Sequence, residues 1–218
     1  MKIKEQIHAY LQEVGFSQEQ MQLLDSSSVY IAQQIALYAH RNQKRVNGEN
    51  YFVHPYKVMN LYREFVGIVP NDYFCVDLDL LTQECHIPYE GVQEVCLLHD
   101  VLEDTEVTLS QIEEVYQDLG LGEHFRMYIQ TPLLLVTHDK SEDYFAYIGK
   151  LIDNPVASMV KFMDMVDNIT PHTLKEFGEK ELKRIEKYAF FAKMLNDKWH
   201  FTENIYKYTQ LLKEKRRK

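Results

Sequence analysis

Leu97-Leu98-His99-Asp100-Val101-Leu102-Glu103-Asp104-Thr105 places four titratable side chains in a segment whose neighbours Val95, Cys96, Leu97, Leu98, Val101 and Leu102 are apolar. A segment of that composition is buried, and a buried polar group needs a partner. At helical spacing His99 stands one turn before Glu103 and Asp100 one turn before Asp104, so two adjacent stripes each carry a pair of ligands or bases. A capped helix end, with a turn starting at Asp104-Thr105, would account for Asp104 but would leave His99 and Asp100 in an apolar sequence without a reason.

Working outward, the apolar period stays helical, and alternating β-branched runs bounded by glycine turns are missing. The expectation is an all-α chain, a bundle of about ten helices. Ser17 with Gln20 and Thr108 with Gln111 have capping-box spacing, and Pro55 and Pro155 suit a first helical position, giving helix starts near 18, 55, 109 and 155. Further periodic stretches cover about 2–14, 27–42, 88–103, 122–136, 143–152, 179–200 and 202–215, with loops at 43–53, 67–72 and 138–143.

The 218 residues suit one domain over 1–218. Hydrophobic residues make up 45%, and Gly and Pro occupy only 8 and 6 positions, which rules out disorder and fibrous folds. With 24 Lys+Arg against 33 Asp+Glu the net charge is -9, so nucleic acid is not an expected partner, and the basic end at 213–218 reads as a solvated helix terminus. No uninterrupted apolar run exceeds five residues, as at Tyr188 to Ala192, so neither a membrane span nor an export signal is expected. Cys75, Cys85 and Cys96 imply no disulfide framework, and a reducing cytoplasm suits them.

Two other places can meet the His99 segment. His54-Pro55 sets an imidazole at a helix entrance, and Lys161, Asp164 and Asn168 share one face of a helix otherwise apolar at Val156, Val160, Met163 and Val166. Alone, His54 reads as a cap or core histidine and Asp164 as the salt-bridge partner of Lys161. Together they allow two histidines and two carboxylates to converge.

These motifs resemble the HD-domain phosphohydrolases, in which H, then HD, then D supply metal ligands, and more narrowly the (p)ppGpp hydrolase domain of RelA/SpoT proteins and its small stand-alone relatives. The resemblance runs from about Ala36 to Leu195, through Ala39-His40, Gln43, Arg45, Gly48-Glu49 and Tyr51 to Pro55; Leu97 to Thr105; Val136-Thr137 with Lys140; and Val160-Lys161 with Asp164 and Asn168. It implies a domain core at about 27–200, with His54, His99, Asp100 and Asp164 as metal ligands and Glu103 and Asp104 orienting and activating water. It also implies Mn²⁺ as the metal. A mixed imidazole and carboxylate set without thiolate independently suits Mn²⁺, Zn²⁺, Fe²⁺ or Mg²⁺.

An anionic nucleotide on a chain of net charge -9 requires local positive charge, for which Arg41, Lys44, Arg45, Lys140, Lys161 and Arg184 are the candidates. By resemblance, Arg45 stacks on guanine, Asn168 lies near the ribose, and Arg184 with Tyr188 contacts the nucleotide. An exposed loop charge at Arg45, a core aromatic at Tyr188 and a simple Lys161–Asp164 pair are the competing readings. The implied activity is hydrolysis of (p)ppGpp to GDP or GTP and pyrophosphate. The rivals are an HD phosphatase of another nucleotide, such as NADPH or a deoxynucleotide, and a sensor that binds without turnover. After Asp164 only 54 residues remain, too few for a synthetase domain within this chain.

Three departures stand out. Val46 replaces a second basic residue, Pro171 stands where bifunctional relatives often have threonine, and 45 positions separate His54 from His99. The surplus, an insert at about 66–90 with Tyr73, Phe74, Cys75, Cys85 and His86, could cap the pocket or form a subunit contact. Cys85-His86 lacks further ligands at zinc spacing and reads as a surface or packing pair.

Overall fold

The structure, a computed structural model, describes residues 2–67, 77–170 and 178–215. It is all-α: no β-strand occurs among the described residues, only an isolated antiparallel bridge between Lys44 and Asn50. In chain order the helices are α1 (Ile3–Glu13), α2 (Gln18–Leu24), α3 (Ser28–Ala39), α4 (Val53–Phe65), α5 (Val92–Leu98), α6 (Val101–Asp104) and α7 (Leu109–Asp118). There follow α8 (Gly122–His124), α9 (Gln130–Val136), α10 (Tyr144–Leu151), α11 (Pro155–Ile169), α12 (Glu179–Trp199) and α13 (Phe201–Lys215). Leu80–Glu84 and Phe125–Ile129 form π-helical turns.

The capping chemistry acts where the spacing places it. Ser17 with Gln20 and Thr108 with Gln111 close reciprocal boxes. Pro155 opens α11, and the Asn154 side chain accepts from the backbone N–H of Ala157 at 2.9 Å. Pro55 differs from expectation: α4 begins at Val53, which puts the proline third. That position is tolerated because a first-turn N–H has no intrahelical acceptor to lose.

The continuous helix expected at 88–103 is broken at His99-Asp100, leaving α5 and α6 end to end. The carbonyl of Cys96, which an unbroken helix would offer to the backbone of Asp100, accepts from Nδ1 of His99 at 2.8 Å. The segment is entered through Gly91 at φ +78°, where an added Cβ would lie 2.3 Å from the carbonyl oxygen of Tyr128. Both the positive φ and that approach exclude a side chain there.

Helix α11 is the central strut, packed on α4, α5, α9 and α12. It buries Met159, Val160, Phe162, Met163 and Met165, each worth about 1.5–3 kcal/mol for a large apolar side chain taken fully out of water. Val156 and Val166 lie at its half-buried margin. The apolar cluster also includes Ile3, Ile7, Leu11, Phe201 and Tyr208, so residues outside 27–200 contribute to the same core.

Residues 68–76, with Tyr73, Phe74 and Cys75, and Pro171 lie outside the described residues. The described part of the insert faces inward: Leu80, Leu81, Cys85 and Ile87 are buried. The C-terminal helix α13 holds it, with Lys207 Nζ donating to the Glu84 carbonyl at 2.6 Å and Lys215 Nζ to Asp77 at 2.5 Å. No helix among the described residues is long and apolar enough to cross a membrane.

Candidate functional site

Three helical elements bring the titratable residues together. The first turn of α4 carries His54, the α5–α6 break carries His99 and Asp100, and the middle of α11 carries Asp164. His54 Nε2 lies 3.1 Å from Asp164 Oδ1 and 3.5 Å from Asp100 Oδ2. His99 Nε2 lies 3.2 Å from Asp100 Oδ1 and 3.7 Å from Asp164 Oδ1. One donor atom from each of His54, His99 and Asp100 falls within 4.8 Å of the others.

The outer partners orient these groups. A carbonyl can only accept, so the bond to Cys96 puts the proton of neutral His99 on Nδ1 and turns the Nε2 lone pair inward. That Nε2 is buried, and despite its nearness to two carboxylates it has no partner in hydrogen-bond geometry. His54 Nδ1 donates to Asp167 Oδ2 at 2.8 Å, which likewise leaves its Nε2 facing the centre. Tyr51 donates its hydroxyl to Asp100 Oδ2 at 2.9 Å. Asp164 receives Lys161 Nζ at 2.8 Å and Asn168 Nδ2 at 2.6 Å.

The electrostatics call for a positive charge in the middle. Burial alone would lower the His54 pKa, but its bonds to Asp164 and Asp167 and the charge of Asp100 raise it to about 9. His99 is raised as well, with burial overcome by Asp100 and Asp164. Burial presses the Asp164 carboxyl upward, and Lys161 with the two imidazoles outweighs it, holding the group well below its usual range. Two imidazoles whose Nε2 atoms face the centre, that of His99 without any partner, and two carboxylates make a donor set that could hold a divalent metal ion in place of the Nε2 protons.

Glu103 and Asp104, the last two residues of α6, flank this centre. Glu103 accepts the backbone N–H of His138 at 3.2 Å, and burial, as the leading influence, raises its pKa. Asp104 is reached by Lys140 Nζ at 3.1 Å and by the Tyr51 hydroxyl at 3.4 Å, while its carbonyl accepts from Gln43 at 2.5 Å.

The positively charged residues are placed less uniformly. Arg45 is neither an exposed loop charge nor open to the solvent: its side chain is 15% exposed and lies 3.6 Å from Asp167. Lys161 pairs with Asp164 and also sits beside the Tyr147 ring at 5.6 Å. Arg184 pairs with Glu181 at 2.9 Å and lies 5.8 Å from the half-buried ring of Tyr188. Arg41 instead turns back onto Tyr38, 3.9 Å from its ring. Lys44 and Val46 are exposed on the 40–52 loop.

Sequence reasoning missed Asp167, the buried carboxylate that aims His54. Its signal was a third acidic or amide group, one turn beyond Asp164 on a helix whose neighbouring positions are apolar. Tyr51 belongs to the motif before His54, and its bond to Asp100, 49 residues away, has no local signal in the sequence.

No family model matches the chain. Over 160 residues, 72% of its length, it is 28% identical to a guanosine-3′,5′-bis(diphosphate) 3′-pyrophosphohydrolase of Aquifex aeolicus (strain VF5). That stretch is 19% of the relative, so the chain spans about a fifth of the curated protein it matches. Among solved structures, a metazoan ortholog of SpoT that hydrolyzes ppGpp and plays a role in starvation responses aligns with a TM-score of 0.48 at 23% identity, covering 87% of this chain and 96% of that one. The chain thus resembles the HD-domain (p)ppGpp hydrolases.

Proposed function

We propose that the chain is a metal-dependent phosphohydrolase that cleaves the 3′-pyrophosphate from (p)ppGpp, giving GDP or GTP and pyrophosphate. The observation that carries this reading is the meeting of His54, His99, Asp100 and Asp164, both imidazoles turning Nε2 inward, with two further carboxylates alongside. Those four residues are the ligands in this reading, and Mn²⁺ the metal. When bound, the divalent ion lowers the pKa of water and offsets charge on phosphoryl oxygens.

The protein's own groups do the rest. Asp167 and the Cys96 carbonyl hold the imidazoles in the tautomers that ligation needs, and Tyr51 holds Asp100. Glu103, whose pKa burial has raised, accepts a proton from the attacking water. Asp104, fixed by Tyr51 and Lys140, orients that water. A bond forms from the water oxygen to the phosphorus attached at the ribose 3′ oxygen. The bond to the 3′ oxygen breaks, that oxygen takes up a proton, and pyrophosphate leaves.

Arg45 on the base, Asn168 near the ribose, and Lys44, Lys140, Lys161, Arg184 and Tyr188 around the phosphates complete the substrate contacts. The same reading makes 1–218 one catalytic domain acting on a small nucleotide in the cytoplasm, with no nucleic-acid partner.

The test is to give metal-loaded protein ppGpp and, in parallel, NADPH, and to follow products by phosphorus NMR. GDP with intact pyrophosphate is expected. Orthophosphate as the first product, or turnover of NADPH with none of ppGpp, overturns the alarmone reading and leaves the metal site in place.

A further inference from the structure

Four of the cations around the centre are already matched by the protein's own carboxylates: Lys161 by Asp164, Lys140 by Asp104, Arg45 by Asp167 and Arg184 by Glu181. Lys187, one turn after Arg184 on α12, differs. Among the described residues it has no ion pair, and its ammonium instead faces two phenol rings, 4.2 Å from the centroid of Tyr144 and 4.8 Å from that of Tyr188. Cation–π contacts of this kind compensate a charge only partly. Lys187 is an exposed residue, and partial burial of its side chain, with smaller contributions from Lys161 and Arg184, lowers its pKa.

Its neighbour is unmatched too. The Tyr144 hydroxyl is closed off from solvent and has no hydrogen-bond partner among the described residues. Tyr144 leads back to the centre: its ring lies 5.4 Å from those of His138 and Tyr147, and Tyr147 lies beside Lys161, which holds Asp164. An exposed ammonium without an ion pair and a buried hydroxyl without a partner, both donors, thus lie side by side one layer outside the metal-ligand cluster. Their shared want is an acceptor rich in oxygen and negative charge. Phosphate oxygens supply both at once.

We propose that Lys187 and Tyr144 form an anion subsite at the α10–α12 edge of the centre, which takes a phosphate group of the substrate other than the one at which the bond is cleaved. This rests on the phosphohydrolase reading for the word substrate, but not for the subsite itself. A point charge on a flexible stem can follow a terminal phosphate, a task for which planar guanidinium geometry is not required.

The test uses Lys187→Met, which keeps the apolar stem over the tyrosine rings and removes the charge, with Lys187→Arg as rescue and Tyr144→Phe for the hydroxyl. Inorganic pyrophosphate is titrated calorimetrically into each metal-loaded protein, and kcat and KM for ppGpp are measured alongside. Lys187→Met should weaken pyrophosphate binding about tenfold and raise KM for ppGpp more than it lowers kcat, with bound metal and melting temperature unchanged. Lys187→Arg should recover most of the loss, and Tyr144→Phe should show a smaller one. Pyrophosphate binding equal to wild type in Lys187→Met overturns the subsite, as does a wild type that binds no pyrophosphate. If ppGpp is not turned over at all, yet pyrophosphate binding still depends on Lys187, the subsite stands and the alarmone reading falls.

Discussion

At the His54–Asp164 end of the site the polar atoms come from helices packed directly on one another, α4, α5 and α11, and each imidazole is aimed by a buried acceptor behind it. The charges around it are carried differently. Arg45 and Lys44 belong to the 40–52 loop, Lys140 to the turn before α10, and Arg184 to the outer part of α12, where few side chains are buried. The inner group is fixed before anything binds, as ligation geometry demands. In the outer group Lys140 is 71% exposed, and Arg184 rests on its own helix's Glu181, so both are free to exchange one partner for another. On the proposed reading, rigid placement serves bond breaking, and exchangeable charge serves capture and release.

The contrast is broken most directly at the inner end. Asp100→Asn and His54→Ala should each lose bound metal and nearly all turnover, because each removes a charge or a coordinate bond from a four-residue set. Metal stoichiometry by mass spectrometry with parallel rate assays checks this, and either variant retaining both would mean that the cluster is not the metal site. Next in size is Glu103→Gln, which should keep its metal and lose roughly 10²- to 10⁴-fold in kcat, the range of a general base. Metal release comparable to Asp100→Asn would move Glu103 into the ligand set.

A smaller effect sharpens the boundary between the two regions. Asp167 touches both, aiming His54 at 2.8 Å and standing 3.6 Å from Arg45. Asp167→Asn should weaken metal affinity by about 10- to 100-fold without abolishing binding, measured by competition with a chelator. An unchanged affinity would make Asp167 a partner of Arg45 alone. The smallest change is expected for Arg45→Ala, which should raise KM for a guanine nucleotide about fivefold, the scale of one stacking cation, with kcat affected less. If metal affinity falls as much as KM rises, Arg45 acts through Asp167 and not on the base.

How legible the site was depends on where each residue's partner lies in the sequence. His99, Asp100, Glu103 and Asp104 could be picked out because polar groups in an apolar run announce themselves without any tertiary information. Their apolar period, however, predicts one continuous helix where the structure has two, α5 and α6. The break at His99-Asp100 depends on the His99 ring turning back to the Cys96 carbonyl, which spacing alone does not reveal. Asp167 was passed over for a related reason. Its position on α11 becomes informative only when α4, 113 residues earlier in the chain, is known to cross beside it. Tyr144 and Lys187 gave no signal, since an aromatic near a helix start and a lysine on a long helix are ordinary in any sequence.

By itself, then, the sequence determined the helical class, through the 3.6-residue apolar period, capping boxes at Ser17 and Thr108 and the helix-opening Pro155, and it marked the residues too polar for their surroundings. Those are local matters, settled by side chains a turn apart. Only the tertiary structure decided which donors meet and which cations are already paired. Each depends on helices distant in sequence packing side by side, and distances of 3 to 4 Å between such helices are set by the whole core.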